Sequence, residues 1–130
     1  MPKQKEWRGG RLVIANILAS DQEAIDLIQE LHGHNAKSGA VRYALRQFSE
    51  AQKTQKLERM CIKVRREGCQ GTKEHINFMM SAIRVPVKLG VEDNASLELL
   101  KTRWELDSFA QVVRLALRYV QATEGAKAKA

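Results

Sequence analysis

His32-Gly33-His34 brings two imidazoles together, and Cys61, Cys69 and His75 add two thiols and a third imidazole, so metal ligation is the first chemistry to weigh. A structural zinc site draws its ligands as close pairs, and the seven residues between Cys61 and Cys69 match no such spacing. Both cysteines read as free thiols of a reducing compartment. No Ser, His and Asp arrangement, inward carboxylate pair or glycine-rich phosphate cradle stands out. Neither a metal, a cofactor nor an enzymatic reaction is expected.

The remaining chemistry is that of charge. Against 22 Lys and Arg stand 15 Asp and Glu, a net +7 that favours a polyanionic partner, nucleic acid first. The charge is segregated: residues 21–34 hold Asp21, Glu23, Asp26 and Glu30 with no Lys or Arg, whereas residues 1–20 hold Lys3, Lys5, Arg8 and Arg11 against Glu6. Lys53, Lys56, Arg59, Lys63, Arg65 and Arg66, with Glu58 among them, form the densest positive stretch. Aromatic residues are 5% of the chain, too few for the stacking platforms of single-strand binders, which leaves duplex DNA.

The elements that position these side chains emerge from an internal repeat. A shift of 72 residues lays Val41-Arg42-Tyr43-Ala44-Leu45-Arg46 on Val113-Arg114-Leu115-Ala116-Leu117-Arg118 with five identities in six positions. Without a gap, the same shift lays Ile25, Leu27 and Ile28 on Leu97, Leu99 and Leu100, Asp21 on Asp93, Asn35 on Asp107, and Val13 and Ile17 on Val85 and Leu89. Two chance amphipathic helices would not hold one offset through two polar breaks.

Each copy reads as a strand and two helices. Arg84-Val85-Pro86-Val87-Lys88-Leu89 alternates with period two, as a strand with one buried face does, while Leu12-Val13-Ile14-Ala15-Asn16-Ile17 is apolar on both faces and takes its orientation from the offset. Ser20-Asp21-Gln22-Glu23 has the form of a capping box opening a helix with Ile25, Leu27, Ile28 and Leu31 inward, and Gly33 offers its left-handed stop. The counterpart opens near Asp93 and carries Leu97, Leu99, Leu100 and Trp104. A second helix runs from about Ala36 over Ala40, Val41, Ala44, Leu45 and Phe48, and again from about Ser108 over Val112, Val113, Ala116, Leu117 and Val120. A lone strand with two helices cannot close a core. The strands must pair as an antiparallel ribbon over four helices, giving a mainly α fold with a two-stranded β-ribbon.

This pattern resembles the ribbon-helix-helix family of DNA-binding proteins, which includes Arc-like and MetJ-like repressors. The likeness covers residues 11–50 and 83–121 and is best at Asp107-Ser108-Phe109-Ala110-Gln111-Val112-Val113-Arg114-Leu115-Ala116-Leu117-Arg118. Two copies in one chain look like a fused pseudo-dimer, similar to the relaxosome accessory proteins of F-type conjugative plasmids. The resemblance implies double-stranded DNA as partner, with the outward ribbon residues Arg84, Pro86, Lys88, Leu12, Ile14 and Asn16 contacting bases. Arg and Lys can address guanine, Asn adenine, and apolar side chains the thymine methyl. It also implies phosphate held at the second helix of each copy, at Ala36, Lys37 and Ser38 and at Ser108 with Phe109. There Asp107 as an N-cap would compete for the amides. Arg11 and the stretch Lys63, Arg65 and Arg66 are further phosphate candidates, with a solvated linker as the alternative reading.

The resulting division is a basic arm at 1–10, a first copy at 11–51, a basic linker with a short helix at 52–82, a second copy at 83–121 and a disordered tail at 122–130. The linker either extends the preceding helix or stands alone, broken at Gly68 and Gly71. Ile76, Met79, Met80 and Ile83, at helical spacing, read as core filling of a short helix packed on the bundle. Trp7 reads as an anchor or a loosely ordered residue. No segment has the length of apolar sequence that spans a bilayer or forms a signal peptide, so a cytoplasmic location is expected. The expected roles are a relaxosome accessory factor, with a relaxase as protein partner, or a transcriptional repressor. The alternative is a protein-interaction module or antitoxin in which Leu12 and Ile14 dock a partner such as a toxin. A monomeric pseudo-dimer, assembling side by side on DNA, completes the expectation.

Overall fold

The structure, a computed structural model, describes residues 10–33 and 36–125. The basic arm with Lys3, Lys5, Arg8 and Trp7, together with His34 and Asn35, lies outside them. Strand β1 (Arg11–Ile17) pairs antiparallel with β2 (Ile83–Leu89) in a two-stranded sheet. Val13, Ala15 and Ile17 of β1 and Val85, Val87 and Leu89 of β2 are buried on one face. Alternation therefore holds in both strands, and the apolar outer residues Leu12 and Ile14 of β1 stand in solvent, 55% and 37% exposed.

The register repeats the sequence offset. Ile14 faces Pro86, its own equivalent 72 residues on, and the pairs Val13 with Val87 and Ala15 with Val85 are exchanged by the same shift.

Beneath the ribbon lie α1 (Ala19–His32), α2 (Lys37–Ser49), α5 (Val91–Arg103) and α6 (Phe109–Val120). The central pair is α2 with α6: Ala40, Val41, Ala44, Leu45 and Phe48 on one and Val112, Val113, Ala116, Leu117 and Val120 on the other are buried. Each packs on the strand of the other repeat copy, α2 on β2 and α6 on β1. The fold is mainly helical with one two-stranded antiparallel sheet.

Several local expectations are corrected. Ser20 is not the cap of α1; Leu18 holds that position, and the Asp21 carboxylate accepts its backbone N–H at 2.9 Å. The left-handed stop at Gly33 is present, at φ 71°. Leu31 and Leu99 are exposed rather than inward, by 48% and 72%. At about 100° per residue Leu99 lies well off the line through Leu97 and Leu100, so it leaves the buried arc. Ser108, not Asp107, caps α6, accepting from the Gln111 N–H at 3.2 Å.

The stretch between the copies is a packed hairpin of two helices. The chain leaves α2 at Ser49 and starts α3 (Gln55–Glu67) afresh, where Thr54 caps by accepting from the Leu57 N–H at 3.2 Å. Leu57, Cys61 and Val64, spaced four and three, are the buried row of α3, which lies along α6. Helix α4 (Lys73–Ser81) is capped by Thr72 and folds back on α3. Its apolar residues are not core filling: Ile76, Met79 and Met80 are 55%, 66% and 83% exposed, and Ile83, which belongs to β2, is 39% exposed. Phe78 alone anchors the helix, its ring 4.4 Å from the Arg114 guanidinium carbon. One aromatic suffices for a two-turn helix, and the rest of its circumference faces out. The expected disordered tail is corrected at 122–125, which with Gln121 forms a π-helical turn against α1. No described helix is long and apolar enough to cross a membrane.

Candidate nucleic-acid interface

Because side chains alternate along a strand, burying Val13, Ala15, Val85 and Val87 turns their neighbours outward. The exposed face carries Leu12 beside Lys88, Ile14 beside Pro86 and Asn16 beside Arg84. The structure thus brings all six expected base-contacting residues onto one surface, apolar at its middle and cationic at both ends.

The expected phosphate contacts divide. Lys37 is exposed at the first turn of α2, and the Ser38 hydroxyl accepts the Lys88 N–H at 3.1 Å, so this helix start abuts the ribbon edge. Ser108 is occupied as a cap, reinforced by Gln111 Oε1 accepting the Asp107 N–H at 2.7 Å. Arg11 is likewise occupied: it donates to Asn94 Oδ1 at 2.7 Å, pairs with Glu98 at 3.1 Å and lies 4.3 Å over the Phe109 ring. These contacts pin the start of β1 to α5 and α6.

In the hairpin, Arg65 donates to the Trp104 carbonyl at 2.5 Å and Arg66 pairs with Glu74 at 3.2 Å, while Lys63 is exposed. Arg65 shares an open cleft of about 220 Å³ with Lys53 and Arg103. Their donors meet the last carbonyls of α5 and that of Ala51: Lys53 bonds the Arg103 carbonyl at 3.1 Å and Arg103 the Ala51 carbonyl at 3.1 Å. The cleft lies at the far end of α2, about 20 Å from its ribbon end by helix rise. Arg65 therefore does not join the ribbon surface.

Sequence reasoning missed the arginines that hold the ribbon in place. Arg42 donates to the Lys88 carbonyl at 3.0 Å, and Arg114 to the Asn16 carbonyl at 3.1 Å. Arg46 pairs with Asp93 at 3.0 Å and Arg118 with Asp21 at 2.8 Å. Each contact becomes the other under the 72-residue shift, and each joins one repeat copy to the other. The signal was available: both arginines and the aspartate are identical in the two copies.

The hairpin makes the two ends unequal. Glu67, 2% exposed, accepts from Arg118 at 2.9 Å and lies 3.5 Å from Arg114, so a buried group of two cations and two carboxylates forms at the Asn16 end. Burial pushes the Arg114 pKa down, with Glu67 opposing; at Arg118 burial acts the same way, but Asp21 and Glu67 outweigh it and raise the pKa. Arg46 is raised simply by its hydrogen bonds to Asp93, in an exposed setting.

The thiols and imidazoles do not gather. Cys61 is buried with its pKa raised by that burial, and its Sγ donates to the Trp104 carbonyl at 3.5 Å. His75 Nδ1 meets the Glu67 carbonyl at 2.9 Å, and Cys69 is exposed. Among the described residues no three His, Cys, Asp or Glu side chains come together as metal ligands. No protein-family model, curated protein or solved structure matches this chain.

Proposed function

We propose that the chain binds double-stranded DNA by laying the outer face of its ribbon in the major groove, as a tandem ribbon-helix-helix pseudo-dimer folded from one chain. The observation that carries this reading is the single exposed face formed by Leu12, Ile14, Asn16, Arg84, Pro86 and Lys88. A two-stranded ribbon fits the major groove, where Arg and Lys address guanine, Asn adenine and apolar groups the thymine methyl. The Ile14 and Pro86 pairing and the exchange of arginine contacts under the 72-residue shift support the pseudo-dimer. Lys37 and Ser38 beside the ribbon are positioned for the phosphate backbone.

The ends of the face differ, Asn16 with Arg84 at one and Leu12 with Lys88 at the other, so the bound site is asymmetric or loosely palindromic. Such a protein acts in the cytoplasm as a relaxosome accessory factor marking one polarity of a transfer origin, or as a repressor. The test is binding to duplexes selected from a random pool, followed by fluorescence anisotropy over a salt series. With about six phosphate contacts, affinity falls about a thousandfold between about 50 and 200 mM salt. Arg84→Ala with Lys88→Ala weakens the selected duplex more than a random one; equal losses would assign both residues to phosphate.

The exposure of Leu12 and Ile14 favours a second reading, in which the ribbon docks a protein such as a relaxase or toxin. Salt-insensitive association with no duplex binding would select it.

A further inference from the structure

Two helices outside the ribbon carry opposite charge in matching rows. On α1, Glu23, Asp26 and Glu30 are exposed and fall within an arc of about 60°. Lys and Arg are absent from α1, and Asp26 accepts from Gln22 of the same helix at 3.0 Å. On α3, Lys56, Arg59, Lys63 and Arg66 are exposed within an arc of about 80°. Glu58 is also exposed on that helix, Arg66 pairs with Glu74 at 3.2 Å, and Arg59 reaches the Gln55 carbonyl at 3.4 Å. Exposed leucine and isoleucine accompany the rows, Leu31 at 48% and Ile62 at 50%.

Both helices pack on α6 and are graduated along it in opposite directions. Asp21 and Glu67 meet the same Arg118 guanidinium, which sets a common level near the ribbon. Farther out, Leu57 and Met60 lie beside Tyr119 and Ala122, and His32 meets Glu124 at 3.2 Å. At about 1.5 Å per residue, Asp26 lies about 7.5 Å and Glu30 about 13.5 Å beyond that level on α1. Lys63 lies about 6 Å and Arg59 about 12 Å beyond it on α3. Two copies standing on one duplex share the level of their ribbons, so Asp26 comes opposite Lys63 and Glu30 opposite Arg59.

We infer that the acidic row of α1 docks the basic row of α3 of a second copy, so that copies line up head to tail along DNA. The inference rests on the DNA reading for the shared level of the copies. A heterologous contact of this kind does not close on itself and suits an array. The α3 row leads away from the ribbon for about 15 Å between Arg66 and Lys56, which directs it past the bound duplex toward a neighbour.

The test is a charge exchange on the full chain. One variant carries Glu23→Lys, Asp26→Lys and Glu30→Lys; the other carries Lys56→Glu, Arg59→Glu and Lys63→Glu. Circular dichroism checks that both fold. Sedimentation at low salt without DNA reads self-association, and the ratio of affinities for two-site and one-site duplexes reads cooperativity, cancelling changes in single-site affinity. Each variant alone loses association and cooperativity by about tenfold, the scale of a few exposed ion pairs, and an equimolar mixture of the two recovers both. No recovery on mixing, or a basic-row variant that loses only one-site affinity, assigns the α3 row to DNA and overturns the inference. Association that recovers on mixing while no duplex is bound upholds the docking and rejects the DNA reading instead.

Discussion

Arg118 holds Asp21 by two hydrogen bonds of 2.8 and 3.2 Å, and 72 residues earlier Arg46 holds Asp93 by two of 3.0 and 3.1 Å. The chemistry is the same and the surroundings differ. The Asp21 side chain is 0% exposed and that of Arg118 14%, whereas Arg46 is 63% exposed. Breaking a buried pair leaves an uncompensated charge, and a screened surface pair contributes little. Arg118→Met therefore destabilises by about 3 to 5 kcal/mol, because it strands Asp21 and Glu67. Arg46→Met costs at most about 1 kcal/mol. Urea unfolding midpoints of the two variants, with unchanged slopes, check the contrast.

The α4 helix offers a second contrast in one turn of chain. Phe78 is 7% exposed and Met80 83%. Phe78→Ala removes the ring that covers Arg114 and costs about 3 kcal/mol. Met80→Ala stays within about 0.5 kcal/mol of the parent. Thermal melts rank them, and equal effects would place Met80 in the core.

The Tyr43 hydroxyl donates to Glu124, and burial first, then the hydrogen bond and charge of that carboxylate, push its pKa from 10.0 to about 12. The folded state thus keeps the phenol proton longer than the unfolded chain does. The associated stabilisation is fully present below pH 10 and is lost as pH rises through about 12. In a phenolate absorbance titration Tyr43 ionises near pH 12, and Tyr43→Phe abolishes that late step.

The ribbon and the four helices under it were legible because each repeat copy states the pattern again. Where one copy was ambiguous, as at Leu12-Val13-Ile14, the alternation of Val85, Val87 and Leu89 fixed the orientation through the offset. The helix starts were less legible. Ser20 has the side chain of a cap, but the backbone turns two residues earlier because Asp21 reaches the Leu18 N–H. The α3 and α4 hairpin was hidden for another reason. Its buried row, Leu57, Cys61 and Val64, is short and lies among cations, so composition spoke of a linker while three well-placed residues sufficed to dock it. The cross-copy arginines were visible as identities, but pairing Arg118 with Asp21 needs the shape of the bundle, since the two lie 97 residues apart.

The strands of the ribbon belong to one polypeptide, and this bears on how the surface responds to scarcity. Where such a ribbon is assembled from two molecules, lowering their number dissolves it, and occupancy of a target falls with the square of the amount present. Here dilution leaves Ile14 beside Pro86, so occupancy of a single target follows the first power. The corresponding burden falls on folding, which must bring strand segments from opposite ends of the chain together before either can be covered.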